Sequence, residues 1–189
     1  MLGRPRDPEI DERVMAVARR HLAQHGYDGM SLTAIAGEAG TTRQALYRRW
    51  PTKADLATAA VAAMSRTAEQ APTEDMFADL VRELDAFRRG IGRPDGVSMV
   101  GTMLVTSTDP EIVTFYRERI VAPRRAALRE ILERARDHGL LSSDADIDAA
   151  LGMFPGSWYA RSLQGVPPLP RWAERTAAVI WRGLGGTPS

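Results

Sequence analysis

The spacing of apolar residues constrains this fold more than any other feature of the sequence. Apolar side chains recur three and four positions apart along almost the whole chain, which is the period of one helical face. Leu32, Ile35, Ala36 and Ala39 show the pattern within one short segment. Alternating runs of Val, Ile and Thr between turns, which indicate strands, are missing from the sequence. The sequence therefore predicts an all-α fold.

Glycine, proline and capping residues divide this pattern into about nine predicted helices. Pro8 stands at a favourable first helical position, and Gly26 stops the first helix. Thr73 is the predicted cap of the fifth helix, whereas Pro123 and Pro155 predict a kink or a break inside two later ones. The approximate bounds are residues 8–26, 31–39, 42–50, 52–70, 73–90, 97–107, 110–139, 146–163 and 170–184.

The composition is that of an ordinary globular protein. Of the 189 residues, 44% are hydrophobic and 26% are charged, with a formal net charge of +1. The absence of cysteine excludes disulfides, thiolate metal sites and a cysteine nucleophile. No apolar run approaches the roughly 20 residues that span a bilayer, and the first residues lack the apolar stretch of a signal peptide. We therefore expect a cytoplasmic protein.

The second and third predicted helices are separated only by a turn at Gly40. Two short helices that cross over a tight glycine-containing turn are typical of a helix-turn-helix, whose second helix enters the major groove of DNA. Thr42, Arg43 and Gln44 stand near the start of that second helix, where side chains contact base edges. Arginine offers two N–H donors that match guanine O6 and N7, and glutamine matches the edge of adenine.

Other polar residues around this turn are candidates for contacts with the DNA backbone. Tyr47 and Arg48 follow one helical turn later and can reach phosphates. Lys53 begins the next helix and can add a charge-assisted contact. Thr33 offers its hydroxyl and its backbone N–H at the start of the second helix.

Structural roles compete with these functional ones. Residues 41–44 (TTRQ) also fit a capping box, in which Gln44 folds back on the helix start instead of contacting a base. Tyr47 can cover the small core, although Leu46 and Trp50 already occupy the inward side of that helix. The residues alone are compatible with both kinds of role.

Residues 25–36 (HGYDGMSLTAIA) and 39–53 (AGTTRQALYRRWPTK) combine a Gly-Tyr pair, an Ala-Gly pair and a Tyr-Arg-x-aromatic-x-x-Lys element. At these spacings the motifs resemble the DNA-binding domain of the TetR family of bacterial transcriptional regulators. The resemblance covers residues 7–67. It implies an all-helical homodimer that binds operator DNA through its N-terminal helices. A larger helical domain then binds a small ligand and dimerises through the last two helices.

Position by position, the resemblance implies phosphate contacts by Thr33, Tyr47 and Lys53, and base contacts by Thr42, Arg43 and Gln44. The expected domains are a basic arm over residues 1–6, a DNA-binding domain over 7–67 with its helix-turn-helix at about 31–50, and a ligand-binding and dimerisation domain over 68–189. Arg4 and Arg6 resemble the arm that enters the minor groove in some family members. A solvated, disordered tail fits these two residues equally well.

A histidine in the first helix departs from the family pattern. His21 and His25 fall within the apolar arc of the helical wheel, and family members more often carry an apolar residue at the first of these positions. A histidine pair four residues apart can bind a metal, but no carboxylate-rich set accompanies it. We expect partly buried, hydrogen-bonded imidazoles, and neither a metal nor a cofactor.

Residues 68–189 carry no specific ligand motif. Met99 and Met103 stand one turn apart and favour an apolar or aromatic effector, because methionine adapts to varied apolar shapes. Most of the other candidates also fit an ordinary core. The candidate pocket residues are Phe77, Leu80, Leu84, Met99, Met103, Tyr116, Phe154 and Trp158.

Small residues in the helix over 146–163 fit the dimerisation that the resemblance implies. Ala149, Ala150, Gly152 and Gly156 would let a second copy approach closely. A dimer through this helix and the last one would place two DNA-reading elements side by side.

The sequence argues against an enzyme, because it contains no Gly-x-Ser-x-Gly, no His-Glu-x-x-His and no phosphate loop. Residues 1–53 hold nine basic and six acidic side chains, whereas residues 54–189 hold sixteen and eighteen, so positive charge concentrates where DNA binding is expected. The predicted function is a sequence-specific DNA-binding repressor that a small-molecule effector releases from its operator. The alternative is a constitutive DNA-binding regulator without a ligand.

Overall fold

The structure is a computed structural model that describes residues 8–65, 71–92, 109–167 and 169–188. Within these residues the chain forms helices joined by turns, without strands, so the predicted all-α fold is confirmed. The helices are α1 (Pro8–Gly29), α2 (Leu32–Glu38), α3 (Arg43–Arg49), α4 (Lys53–Ser65), α5 (Met76–Ile91), α6 (Pro110–Tyr116), α7 (Ala122–Asp137), α8 (Ile147–Leu163) and α9 (Trp172–Gly183).

The described helices correspond to eight of the predicted nine. A π-helical turn, Arg117–Val121, joins α6 to α7 without interruption, so the two together are the long helix expected over 110–139. Gly26, the predicted stop of the first helix, has a φ of 67° and breaks the helical geometry near the end of α1. The helix expected over residues 97–107 lies outside the described residues.

By their internal contacts the described residues fall into two compact units. The N-terminal unit contains residues 8–64 and 109–120, and the C-terminal unit contains residues 65, 71–92, 121–167 and 169–188. A single boundary after residue 67 would place 109–120 with the C-terminal part instead. Two long-range hydrogen bonds, from Tyr27 to Asp109 and from Arg119 to Asp55, link residues 109–120 to the rest of the N-terminal unit.

The N-terminal unit has a small apolar core to which each of its first four helices contributes. Val14, Leu22, Ile35, Leu46 and Leu56 are at most 1% exposed. Burial of each such side chain stabilises the fold by about 1.5–3 kcal/mol. Because α2 and α3 are too short to be stable alone, this shared core fixes the angle between them.

In the C-terminal unit, α5 packs against α7 and α9, and α8 packs against the same two helices. Phe87, Trp158 and Trp172 form an aromatic cluster inside this group of four, with the two indole rings edge to face at 5.1 Å. Trp172 and Trp181 are among the largest fully buried side chains. Large aromatic rings supply much of the buried area that holds this unit together.

One carboxylate is buried in the C-terminal unit. Asp79 is 1% exposed, accepts hydrogen bonds from the backbone N–H and hydroxyl of Thr73 at 2.8 and 2.7 Å, and pairs with Arg82. Burial alone raises the pKa of Asp79, but these hydrogen bonds and the guanidinium lower it below its ordinary value. The predicted cap of α5 is therefore wrong: Asp75 caps the helix, accepting the Ala78 N–H at 2.8 Å, because Thr73 is bound to Asp79.

Two prolines lie inside helices without ending them. Pro123 lacks the N–H that would bond to the carbonyl of Arg119, and the turn just before it is π-helical. Pro155 lies within α8, which continues through it. The predicted kink or break at Pro123 is thus a single widened turn. At Pro155 the helix is not broken.

Candidate nucleic-acid interface

A tight turn of defined geometry joins α2 to α3. Ser31 caps α2, and its hydroxyl accepts a backbone N–H of the first turn at 3.3 Å. At the other end Gly40 has a φ of 67°. The N–H of Gly40 bonds to the carbonyl of Gly37 at 3.1 Å, and the N–H of Thr41 bonds to the carbonyl of Ala36 at 2.9 Å. This pair of bonds is a Schellman motif, and it gives the helix-turn-helix the sharp reversal that the sequence predicts.

Side chains of α1 hold the end of α2 in place. Arg13 donates from Nε to the carbonyl of Ala39 at 3.3 Å. Arg20 and His21 both contact the carboxylate of Glu38, each at 2.8 Å. The hydrogen bond with His21, reinforced by Arg20, lowers the pKa of Glu38 below its ordinary value. The carboxylate therefore stays ionised and continues to bind both α1 side chains.

α3 is tied to α1 by a separate ion pair. Arg49 Nε lies 2.9 Å from Asp11 Oδ1, and the arginine side chain is 14% exposed. Arg49 thus has a structural role within the N-terminal unit. Arg43 and Arg48 on the same helix are both exposed.

The two histidines of α1 have different surroundings. His21 is 7% exposed and hydrogen-bonded to Glu38, which confirms the predicted imidazole role for this residue. His25 is exposed, and its ring packs edge to face against His21 with centroids 5.5 Å apart. Within the ranges that the structure describes, no cluster of three or more His, Asp or Glu residues is arranged to hold a metal.

At the start of α3, the residue that caps the helix differs from the polar residues that are exposed to solvent. Thr42 is the N-cap, and its hydroxyl accepts the N–H of Ala45 at 3.1 Å. A capping box with Gln44 needs the cap one residue earlier, at Thr41, so the alternative role for Gln44 is wrong. Arg43 and Gln44 occupy the first two helical positions with exposed side chains.

Arg43 and Tyr47 contact each other one turn apart on α3. Arg43 Nη2 donates to the Tyr47 hydroxyl at 3.0 Å, and the guanidinium lies 5.2 Å from the ring centroid. Tyr47 is 38% exposed, so part of its side chain is accessible to a ligand. The two side chains form one polar surface with a cation on an aromatic ring.

The other two residues that are predicted to contact the DNA backbone lie at helix starts. Thr33 is exposed at the second position of α2. Lys53, the single lysine of the chain, is the first residue of α4, and its Nζ donates to the carbonyl of Asp28 at 2.8 Å. The same ammonium lies 4.8 Å from the centroid of the Tyr27 ring. Outside the described residues lie the two predicted arm residues, Arg4 and Arg6.

Two family models together match most of the chain. The model described as "Bacterial regulatory proteins, tetR family" matches residues 14–60. The model described as "Tetracyclin repressor-like, C-terminal domain" matches residues 70–180. The chain belongs to the TetR family.

Known proteins of the family are similar over nearly the full length. Rv1556 of Mycobacterium tuberculosis, an uncharacterized HTH-type transcriptional regulator, is 31% identical over 183 residues, which cover 94% of this chain and 89% of the relative. The solved TetR family transcription regulator SCO0332 is 26% identical, with a TM-score of 0.64 and coverage of 93% and 98%. A solved TetR regulator from Haloarcula marismortui ATCC 43049 shares the fold at 19% identity, with a TM-score of 0.71 and coverage of 94% and 99%. The chain is thus a TetR-family helix-turn-helix transcriptional regulator.

The C-terminal unit of this TetR-family protein contains an open groove of about 1030 Å³. It is lined by one side of α5, by Trp158 of α8 and by the start of α9. Its volume is at the upper end of the range of small-molecule sites. The lining includes both aromatic and charged residues, namely Phe77, Trp158 and Trp172, and Asp75, Arg82, Asp85, Arg88, Arg171 and Glu174.

The groove and the predicted pocket overlap in part. Phe77 and Trp158 line the groove. Leu80, Leu84 and Phe154 are instead at most 1% exposed and belong to the core, because helices of this unit turn their most apolar sides inward. The other predicted pocket residues are Tyr116, which belongs to the N-terminal unit, and Met99 and Met103, which lie outside the described residues.

α8 has an exposed face without charged side chains. Met153 and Leu163 are 58% and 87% exposed, and Val179 on the neighbouring α9 is 68% exposed. Ala150, predicted to let a second copy approach, is instead 2% exposed and part of the core. The face has helical spacing and consists of Ala149, Gly152, Met153, Gly156, Ala160 and Leu163.

No pattern in the sequence predicted that Lys53 would contact Tyr27, or that Tyr27 would bind Asp109. Tyr27 belongs to the Gly-Tyr motif, but its hydroxyl partner, Asp109, is 82 residues further along the chain. Asp109 carries a separate signal, since Asp-Pro predicts a helix start. Local patterns report local geometry, so neither motif could identify the other.

In the part of the chain that the structure describes, no helix is long and apolar enough to cross a membrane.

Proposed function

We propose that this TetR-family protein binds duplex DNA sequence-specifically in the bacterial cytoplasm and represses transcription, and that a small-molecule effector releases it. The observation that carries the proposal is the exposed start of α3. There Thr42 alone satisfies the helix cap, while Arg43 and Gln44 are exposed at the first two helical positions. Arg43 can bond guanine O6 and N7 and Gln44 the edge of adenine, while the Thr42 methyl group suits thymine.

Contacts with the DNA backbone would fix the register of this helix. Tyr47 and Arg48 are exposed on the next turn of α3, and Thr33 and Lys53 stand at the starts of α2 and α4. Hydroxyls, guanidinium and ammonium groups at helix starts are suitable phosphate donors. The proposed minor-groove contacts are Arg4 and Arg6.

A homodimer would present two copies of α3 to successive major grooves. We propose that the exposed faces of α8 and α9 form its interface, because Met153, Leu163 and Val179 are large apolar side chains in contact with solvent. A Cβ at Gly152 or Gly156 would meet nothing within 4 Å, so a second backbone has room to approach. A two-fold dimer requires two half-sites about 34 Å apart in a pseudo-palindromic operator.

The effector would occupy the groove of the C-terminal unit. Phe77 and Trp158 suit an aromatic or apolar molecule, and the charged lining would orient its polar groups. For useful switching, the effector must bind the DNA-free form about 10²- to 10⁴-fold more tightly than the DNA-binding form.

The groove also supports a second candidate function, namely constitutive regulation without a ligand. Several of its charged residues are already paired, for example Arg88 with Asp85 at 2.6 Å, and Arg171 with Glu174. Paired charges have their hydrogen-bonding capacity partly satisfied without a ligand, so the groove does not need an effector to be stable.

Selection of genomic DNA fragments from the source organism by the purified protein tests the proposal. We expect enrichment of a pseudo-palindromic sequence that binds at least about 10³-fold more tightly than random duplex at physiological salt. Equal binding of selected and random fragments would contradict sequence-specific regulation. A panel of aromatic compounds, scored by thermal shift and by release of the selected operator, then separates the effector-controlled protein from the constitutive one.

A further inference from the structure

The ammonium of Lys53 is held by two groups at the end of α1. Its Nζ donates to the carbonyl of Asp28 at 2.8 Å and lies 4.8 Å from the centroid of the Tyr27 ring. A lysine has three N–H donors, so one is used here and others can serve a phosphate. The charge is placed before DNA arrives.

The Tyr27 ring is itself fixed by a residue far along the chain. Tyr27 is 2% exposed, and its hydroxyl donates to Asp109 Oδ2. Burial, together with this hydrogen bond to the carboxylate, holds the pKa of the phenol well above its ordinary value. The hydroxyl therefore stays protonated, and it donates at every pH at which the protein works.

Asp109 also organises the start of α6. It is the N-cap of that helix, and its Oδ1 accepts the N–H of Glu111 at 2.9 Å. One oxygen thus holds the helix start and the other holds Tyr27. The Asp109 carboxylate links α6 to the aromatic ring that lies against Lys53.

A free lysine side chain has high rotamer entropy, which is lost when the side chain is fixed against a phosphate. The carbonyl and the ring remove part of that entropy in the unbound protein. Rigidity present before binding increases affinity, because less order has to be gained on binding. This benefit depends on the Tyr27 ring staying in place.

We propose that Asp109 is a positioning residue for DNA binding, which acts through Tyr27 to hold the Lys53 ammonium ready for the DNA backbone. The inference rests on the proposed phosphate contact of Lys53. It gives Asp109, the N-cap of α6, a role in DNA affinity that acts through Tyr27 and Lys53.

The single lysine of the chain allows a direct test of the positioning step. Protein made with isotope-labelled lysine should give one set of lysine NMR signals, those of Lys53, and we expect the Tyr27 ring current to shift the Cε protons of Lys53 upfield. Asp109→Ser retains a capping hydroxyl but is too short to bind Tyr27. Tyr27→Phe retains the ring and loses the donor. We expect both variants to move the Lys53 signals towards random-coil positions.

A matched control breaks another contact between the same segments. Arg119 donates to Asp55 at 2.6 Å, which also ties the 109–120 segment to α4. Arg119→Gln should leave the Lys53 signals unchanged, since it does not touch Tyr27. Far-UV circular dichroism and thermal melts establish that each variant is folded.

Affinity for random-sequence duplex then tests the consequence for binding. Asp109→Ser and Tyr27→Phe should each weaken it by about 3- to 10-fold, the range expected when one flexible side chain must be ordered anew. In a Lys53→Met background the same substitutions should have no effect. A loss that persists in that background, or unmoved Lys53 signals in Asp109→Ser, overturns the positioning role.

The two levels of the hypothesis fail differently. If Lys53→Met binds duplex as tightly as the parent protein, the phosphate contact itself is wrong, whatever the NMR signals do. If Lys53→Met binds weakly but Asp109→Ser leaves both affinity and signals unchanged, the phosphate contact stands and the positioning by Asp109 is overturned.

Discussion

Arg43 donates a 3.0 Å hydrogen bond to the Tyr47 hydroxyl, and its guanidinium lies 5.2 Å from the ring of the same tyrosine. The two residues are one turn apart, and Arg43 is the first residue of α3. The guanidinium is therefore held in a limited range of positions before it meets a base. This order suits a group whose two parallel donors must match two acceptors.

Substitution of Arg43 should reduce both affinity and sequence preference. We expect Arg43→Ala to weaken operator binding by about 1–3 kcal/mol and to relax the preference at one base pair. Arg43→Lys should recover little, since an ammonium cannot make the bidentate contact. Competition binding against operators mutated at each position measures both effects. Equal losses on operator and random duplex would contradict base reading by Arg43.

Substitution of Lys53 should weaken binding without regard to sequence. Lys53→Ala removes one cation that would contact the DNA backbone. The slope of log affinity against the logarithm of the salt concentration should therefore become shallower by about 0.9. Fluorescence anisotropy titrations at several salt concentrations, on operator and on random duplex, measure this slope. Arg49→Ala is a useful comparison, because Arg49 is paired with Asp11 and should affect stability more than the salt slope.

The turn between α2 and α3 should tolerate little change at Gly40. Its φ of 67° disfavours any residue with a Cβ, so Gly40→Ala should destabilise the protein by about 1 kcal/mol. Gly37→Ala is the matched control, since an added Cβ there meets nothing within 4 Å in a helix. That variant should be neutral or stabilising by up to about 1 kcal/mol. Urea denaturation compares the free energies of unfolding of the two variants. Equal destabilisation would show that the positive φ of Gly40 is not the cause.

The buried carboxylate of Asp79 should matter far more than Asp85, a half-buried carboxylate on the same helix. Asp79→Asn removes an ionised acceptor of the Thr73 and Arg82 donors and should cost about 1–3 kcal/mol. Asp85→Asn breaks the more exposed pairs with Arg88 and Arg89 and should cost less than about 1 kcal/mol. Comparable losses in chemical denaturation would contradict this ranking.

The same carboxylate predicts a pH dependence. The pKa of Asp79 is lower in the folded protein than its ordinary value of 3.8, so ionisation stabilises the fold above that value. The contribution is lost as the pH falls through the folded pKa. The stability difference between the parent and Asp79→Asn should therefore shrink in acid, and a difference that grows below pH 3.8 would contradict the assignment.

The dimer face of α8 can be tested without disturbing the core. Gly156 is exposed, and an added Cβ meets nothing within 4 Å, so Gly156→Leu should leave the protomer folded while blocking close approach of a second copy. Met153→Asp should have the same effect through charge. Light scattering after gel filtration should give monomers. Leu140→Asp, at an exposed residue outside α8 and α9, is the control that should not change the mass.

Local patterns explain why much of the N-terminal unit was predictable. The apolar spacing of α2, the cap at Ser31 and the reversal at Gly40 all depend on neighbours within a few residues. The same is true of the exposed positions of Arg43 and Gln44 on a short helix. Propensity, capping and helical period act over this range, so one sequence carries the information.

Burial in the folded core and contacts between distant segments explain what the sequence could not predict. Asp79 draws Thr73 away from the cap position, and only the folded core shows that this carboxylate is buried. Likewise, Tyr27 meets Asp109 across 82 residues, which places the start of α6 with the N-terminal unit. The core positions of Leu80 and Leu84 were missed for a related reason, since apolar spacing marks the inward side of α5 but does not show whether a pocket opens there.

The uncharged face of α8 has a consequence for the amount of protein in the cell. If a second copy covers this face, folding and association are linked by mass action, and the melting temperature rises with protein concentration. A newly made, dilute regulator would then be the least stable form, exposed to proteases until it finds a partner. Dimerisation would set a lower limit on the concentration at which the regulator persists, before any operator is bound.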